Sequence, residues 1–218
     1  VESTAIGSVA IGGYALTALT SGAQNTAIGY TALDAENTGS YSTAVGYEAL
    51  TAQTGGASAT KGNTAVGADA GKGITGGQYN TVVGWGAADT HDTTGGTYLG
   101  QACGSNGTGD FCVFVGMGAG ETGDNTQDGT IGIGYNSLKA LTSGAKNIAI
   151  GYNSMLLATS ATNNVAIGYD AMNAMVGDEA NKNDGHHNIA IGTDAMGSVN
   201  AFTHTDSTSD GNIAIGTN

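Results

Sequence analysis

The chain has 218 residues, of which 39 are glycine and none is proline. Eighteen acidic residues stand against five lysines, for a formal net charge of −13. That balance excludes a nucleic-acid interface, which needs clustered basic side chains, and no apolar run approaches the ~20 residues of a membrane-spanning helix.

The unit Asn-Thr-Ala-Ile-Gly-Tyr-x-Ala-Leu, complete at Asn25–Leu33, recurs along the whole chain. Aligned on its glycine, the copies are anchored at Gly12, Gly29, Gly46, Gly67, Gly84, Gly100, Gly116, Gly134, Gly151, Gly168, Gly192 and Gly216. The commonest spacing is 17 residues, the shortest 16 and the longest 24. A short fixed period with insertions at one phase predicts a solenoid with one structural unit per repeat.

The residue before each glycine is aliphatic: Ile11, Ile28, Val45, Val66, Val83, Leu99, Val115, Ile133, Ile150, Ile167, Ile191 and Ile215. Two residues earlier every copy is β-branched, from Val9 and Thr26 to Ile189 and Ile213, which suits a strand. The two columns share parity, so they are expected to face a core together. The small column between them is then expected to face outward. That column includes Ala27, Ala44, Ala65, Val82, Tyr98, Phe114, Ala149, Ala166 and Ala190, and close packing around a threefold axis is its predicted use. Three residues past the glycine only Ala, Cys or Ser occurs, followed in several copies by Leu or Met, and this half is read as a second short strand. The glycine is expected at the corner, with positive φ or a close chain approach. The asparagines at 25, 63, 80, 147, 164, 188 and 212 can stack as an Asn ladder. The expected fold is all-β: a parallel β-roll or β-solenoid of about twelve two-strand rungs, forming a single repeat domain over residues 1–218.

These motifs resemble the head repeats of trimeric autotransporter adhesins of the YadA-like type. The longer form, best carried by Asn25–Leu33, Ser42–Leu50, Asn147–Met155 and Asn164–Met172, looks most like repeats of bacteriophage tail fibres and tailspikes. The match spans about Ser3 to Asn218. The stretch Gly96–Gly120 departs from it, keeping the frame but losing Asn and Ala. The resemblance implies a left-handed roll, a side-by-side homotrimer and an extracellular location on a virion tail or a bacterial surface. It also implies a host-surface receptor, a glycan among the candidates. The chain is expected to be a segment of a longer fibre protein.

Little in the sequence suggests chemistry. Cys103 and Cys112 bracket a Gly-, Ser- and Asn-rich turn, and a disulfide between them is expected to pin it. No catalytic residues, cofactor or metal site are assigned. The insertions Asn173–His187 and Gly197–Gly211 hold the candidate binding residues Asp178, Glu179, Asp184, His186, His187, Phe202 and His204, because insertions in repeat proteins map to one face. A flat outward threonine array would suggest ice binding. Threonine gives way to Val and Ile at the same phase, however, so that column is expected inside. The reading is therefore a non-enzymatic phage tail-fibre shaft or head. The alternatives are a bacterial adhesin head and an extracellular filament of solenoids stacked end to end.

Overall fold

A computed structural model describes residues 6–56, 60–90, 92–106, 109–122, 128–174, 185–197 and 211–217. The chain forms two compact units, Val1–Ser105 and Asn106–Asn218. The first holds strands β1 (Val9–Ile11), β2 (Thr26–Ile28), β3 (Thr43–Val45), β4 (Thr64–Val66), β5 (Thr81–Val83) and β6 (Thr97–Leu99). The second holds β7 (Val113–Val115), β8 (Ile131–Ile133), β9 (Ile148–Ile150), β10 (Val165–Ile167), β11 (Ile189–Ile191) and β12 (Ile213–Ile215). Within each unit the strands pair in chain order, parallel and in register, column on column. No helix occurs among the described residues. The fold is an all-β parallel solenoid, six rungs in each unit. The divergent stretch keeps the frame, with Val82 paired to Tyr98 in the first unit and Phe114 to Gly132 in the second.

Both expectations for the glycine hold. All twelve anchors have positive φ, from +124° to +145°. A Cβ on Gly46 would lie 2.2 Å from the Gly67 carbonyl oxygen, and one on Gly151 would lie 2.2 Å from that of Gly168. Successive rungs meet backbone to backbone at these corners, and no larger residue fits there.

The second half of each rung is not a strand. Positions two and four past the glycine are left-handed, as at Thr31 (φ 52°) and Leu33 (φ 51°), or Asn153 and Met155 (both φ 53°). Alternating left-handed residues curl the chain into turns, so each rung carries one strand and one turn-rich segment. That segment is still bonded on both sides. Thr31 N–H donates back to Gly13 O at 2.9 Å, while Leu33 N–H donates forward to Ala49 O at 3.1 Å.

The largest correction concerns inside and outside. The column assigned to a threefold axis lies in the core. Ala27, Ala44, Ala65, Val82 and Tyr98 in the first unit, and Phe114, Ala149, Ala166 and Ala190 in the second, are all buried. The aliphatic and β-branched columns flanking them face out, part-exposed or exposed. The period-two parity holds and its sign is the reverse of the expected one. The reason is volume. The turn segment already sends Leu33, Leu50, Leu138, Met155 and Met172 into the interior, each fully buried. A coil this small then has room for only an alanine from the strand, and interiors are close-packed.

Where the strand residue is large, the surroundings shrink. A Cβ on Gly96 would lie 2.3 Å from the Tyr98 ring, and one on Gly120 2.7 Å from the Phe114 ring. The loss of Asn and Ala across Gly96–Gly120 is therefore one substitution pattern, with a bulky strand side chain offset by glycines around it.

The asparagine ladder forms inside each unit. In the first, Asn63 Oδ1 accepts from Asn80 N–H at 2.9 Å while its Nδ2 donates to Gly77 O at 2.9 Å. In the second, Asn147 Oδ1 accepts from Asn164 N–H at 3.0 Å while its Nδ2 donates to Ala161 O at 2.6 Å. Each amide clips the turn of the next rung, satisfying backbone groups that water does not reach. Ser42 is too short for this, and Gln53 fills the gap. Gln53 Nε2 donates to Ser42 Oγ at 3.0 Å and to the buried Glu36 carboxylate at 2.7 Å, and Gln53 Oε1 accepts from Asn63 Nδ2 at 2.8 Å.

Candidate functional surface

With alanine inside, the surface available for partners is the outer face of each sheet. In β2–β6 it pairs Thr26, Thr43, Thr64, Thr81 and Thr97 with Ile28, Val45, Val66, Val83 and Leu99. In β7–β12 both outward positions are Val or Ile in every rung. No charged side chain interrupts either face at the strand positions. The threonine column therefore points outward, opposite to the sequence expectation, because it shares the parity of the excluded aliphatics.

A second exposed feature follows directly from the Gly-Tyr of the repeat. Tyr30 and Tyr47 stack with centroids 5.8 Å apart, and Tyr14 meets Tyr30 edge-on at 5.7 Å. In the second unit Tyr135 and Tyr152 stack at 5.0 Å, and Tyr152 and Tyr169 at 5.4 Å. All of these rings are exposed. Sequence reasoning passed over them, although Tyr30, Tyr47, Tyr135, Tyr152 and Tyr169 each directly follow an anchor glycine; Tyr14 stands two residues past its own.

The expected disulfide is not formed. Cys103 and Cys112 are both buried thiols. Cys103 Sγ donates to Gly100 O at 3.2 Å in the first unit, and Cys112 Sγ to Asp110 O at 3.6 Å in the second. Each takes a column position as a small apolar side chain: Cys103 where Ala87 and Ala119 sit, and Cys112 in the asparagine column. Burial pushes the Cys103 thiol up to about 12 and the Cys112 thiol up to about 11.

Of the candidate loop residues, Asp178, Glu179, Asp184, Phe202 and His204 lie outside the described residues. His186 and His187 lie inside and belong to the rung framework. His186 Nδ1 accepts from Thr162 N–H at 3.1 Å, and His187 N–H donates to Thr162 O at 3.2 Å. Among the described residues no group of three or more His, Cys, Asp or Glu side chains is placed to hold a metal ion. No helix among them is long and apolar enough to cross a membrane.

No protein-family model matches the chain, and neither do any curated protein or solved structure.

Proposed function

We propose that the chain is a structural segment of an extracellular fibre or adhesin, of the phage tail-fibre type its repeats resemble, acting by self-association into a side-by-side homotrimer. The observation that carries this is the outer face of β7–β12, where each rung presents two aliphatic side chains and no charge. Large exposed apolar patches on a soluble domain mark interfaces. With a net charge of −13 the chain repels its copies elsewhere, so an uncharged apolar face is where two copies meet at least cost. Cyclic closure then places the same face of each copy around one axis. A host-surface receptor, glycan or protein, would be met by the residues inserted between consecutive rungs at 173–187 and 197–211, since insertions in repeat proteins often carry binding. Sedimentation tests the assembly. The unmodified chain should run as a trimer, and Ile150→Glu or Ile167→Glu should run as a folded monomer. A monomeric unmodified chain defeats the proposal.

The outward threonines favour a second reading. Five consecutive rungs present Thr hydroxyl and methyl groups in a rank, repeated at the ~4.8 Å spacing of paired strands. Such an array is suited to ordering water into a lattice, which is the mechanism of ice binding. It calls for an uncovered face, so it competes with the trimer. Thermal hysteresis that is lost in Thr64→Tyr would support it, and no hysteresis from the unmodified chain removes it.

A further inference from the structure

The tyrosine ladders join three conditions: the rings are in contact, solvent reaches them, and the backbone fixes their register. Tyr135 and Tyr152 are 38% and 47% exposed, with centroids 5.0 Å apart and planes 22° from parallel. Asn153 N–H donates to Tyr135 O at 2.9 Å, and Gly151 N–H to Ile133 O at 2.8 Å, so adjacent rungs cannot slide past one another. We propose that this ladder is a site of oxidative modification, in which a one-electron oxidant couples Tyr135 to Tyr152 as a dityrosine that staples neighbouring rungs. The oxidant class is a peroxide-activated haem or a photochemically generated radical.

The chemistry balances as follows. Each phenol gives one electron to the oxidant and its hydroxyl proton to water. The two phenoxyl radicals then pair their electrons in a carbon–carbon bond between ring positions ortho to the oxygens. The ring hydrogens at those carbons move to the oxygens and restore both phenols. In total two electrons and two protons leave. Because the rings are already in contact, coupling within the ladder outruns diffusion between chains, as for any preorganised intramolecular step. The staple is chemically distinct from the cysteines, which remain buried thiols. Tyr30 and Tyr47 offer the same arrangement in the first unit.

The test oxidises the full-length chain, dilute, with photo-excited tris(bipyridine)ruthenium and persulfate, followed by trypsin and mass spectrometry. Lys139 and Lys146 lie between the two tyrosines, so the cross-link must join two separate peptides, residues 73–139 and 147–182. The expected product is that peptide pair less two hydrogen atoms, from a chain that still runs as a single chain on a denaturing gel. Tyr152→Phe and, from the other side, Tyr135→Phe should each abolish it. Tyr79→Phe, which removes an exposed ring in another column, should leave its yield unchanged. Recovery of Tyr135 and Tyr152 only in unlinked peptides overturns the proposal. So does linkage found only in covalent dimers whose fraction rises with concentration.

Discussion

The two units follow one rung plan and differ where they face outward. Inside, both use alanine from the strand, leucine or methionine from the turn, and asparagine across the turn. Outside, β2–β6 alternate threonine with an aliphatic, whereas β7–β12 are aliphatic at both positions. The interior leaves almost no freedom, because the coil is narrow and its glycine corners touch. The exterior is where the sequence has room to differ, so it is the place to look for function. A substitution should therefore be judged first by its column and only then by its chemistry.

The largest expected effect breaks this comparison if it fails. Ala44→Glu in the first unit and Ala166→Glu in the second each force a carboxylate into a fully buried site. Each should cost about 4 kcal/mol or more, enough to unfold its unit. Ile167→Glu, one residue away and facing out, should leave the unit folded and act only on association. Chemical denaturation followed by circular dichroism reads both. If Ala166→Glu folds normally while Ile167→Glu unfolds, the inside-out assignment is wrong.

A second experiment sharpens the contrast at the bulky rungs. Phe114→Ala should cost about 3–5 kcal/mol through the cavity it leaves. Gly120 sits in the same turn column as Leu138, and both are left-handed, at φ 61° and 54°. Adding Gly120→Leu to Phe114→Ala rebuilds the alanine-and-leucine pattern of ordinary rungs. The double variant should recover more than about 1 kcal/mol relative to the sum of the single changes. Simple additivity would mean that the two positions do not share one volume. In the first unit Tyr98→Phe should cost about 1 kcal/mol, since it removes the 2.9 Å hydroxyl contact with Thr93.

The period, the strands, the parallel register, the glycine corner and the asparagine ladder were all legible in the repeat, because the strand and its glycine recur twelve times and the asparagine seven. The facing of the columns was not. A rule that large aliphatics go inside assumes an interior large enough to hold them, and here Leu33 and Met155 had already taken the space. The second strand was misread for a related reason. Alternating small and large residues look like a strand, but left-handed backbone at Leu33 or Met155 has no sequence signature, since only glycine and, more weakly, asparagine or aspartate advertise it. The disulfide failed because nine residues of spacing says nothing about facing. Cys103 and Cys112 each answer to the column they occupy.

Those thiols give the third prediction. Both are raised by burial, to about 12 and about 11 from an ordinary 9.0. In the folded chain neither should react with iodoacetamide at pH 8, and both should react once the chain is denatured. A raised thiol contributes stability that is complete below the unfolded value and lost as pH climbs through the folded one. Stability should therefore begin to fall above about pH 9, and Cys103→Ala with Cys112→Ala should flatten that fall. Rapid labelling of the native chain would show that the columns are not closed to solvent.

The smallest expected effect lies in the first unit, where Asp92 caps a turn of the preceding rung. Its carboxylate accepts from Thr75 N–H at 3.1 Å, from Thr75 Oγ1 at 2.8 Å, from Gly76 N–H at 3.0 Å and from Gly77 N–H at 2.6 Å. Partial burial alone would push this carboxyl up, but the hydrogen bonds outweigh it and hold the group below the usual carboxylate range. A depressed carboxyl stabilises the fold above its unfolded value, and the contribution disappears as pH falls through the lower, folded one. Asp92→Asn keeps one oxygen acceptor and loses the charge, so it should cost about 1 kcal/mol at pH 7. The gap between variant and unmodified chain should close as the solution is acidified below the ordinary carboxylate value of 3.8. The corresponding asparagine clips of the second unit carry no charge, so replacing Asn147 by Ala should give a loss that does not change over the same range. If acid leaves the Asp92 difference intact, the turn is held by its backbone geometry and not by the charge of the carboxylate.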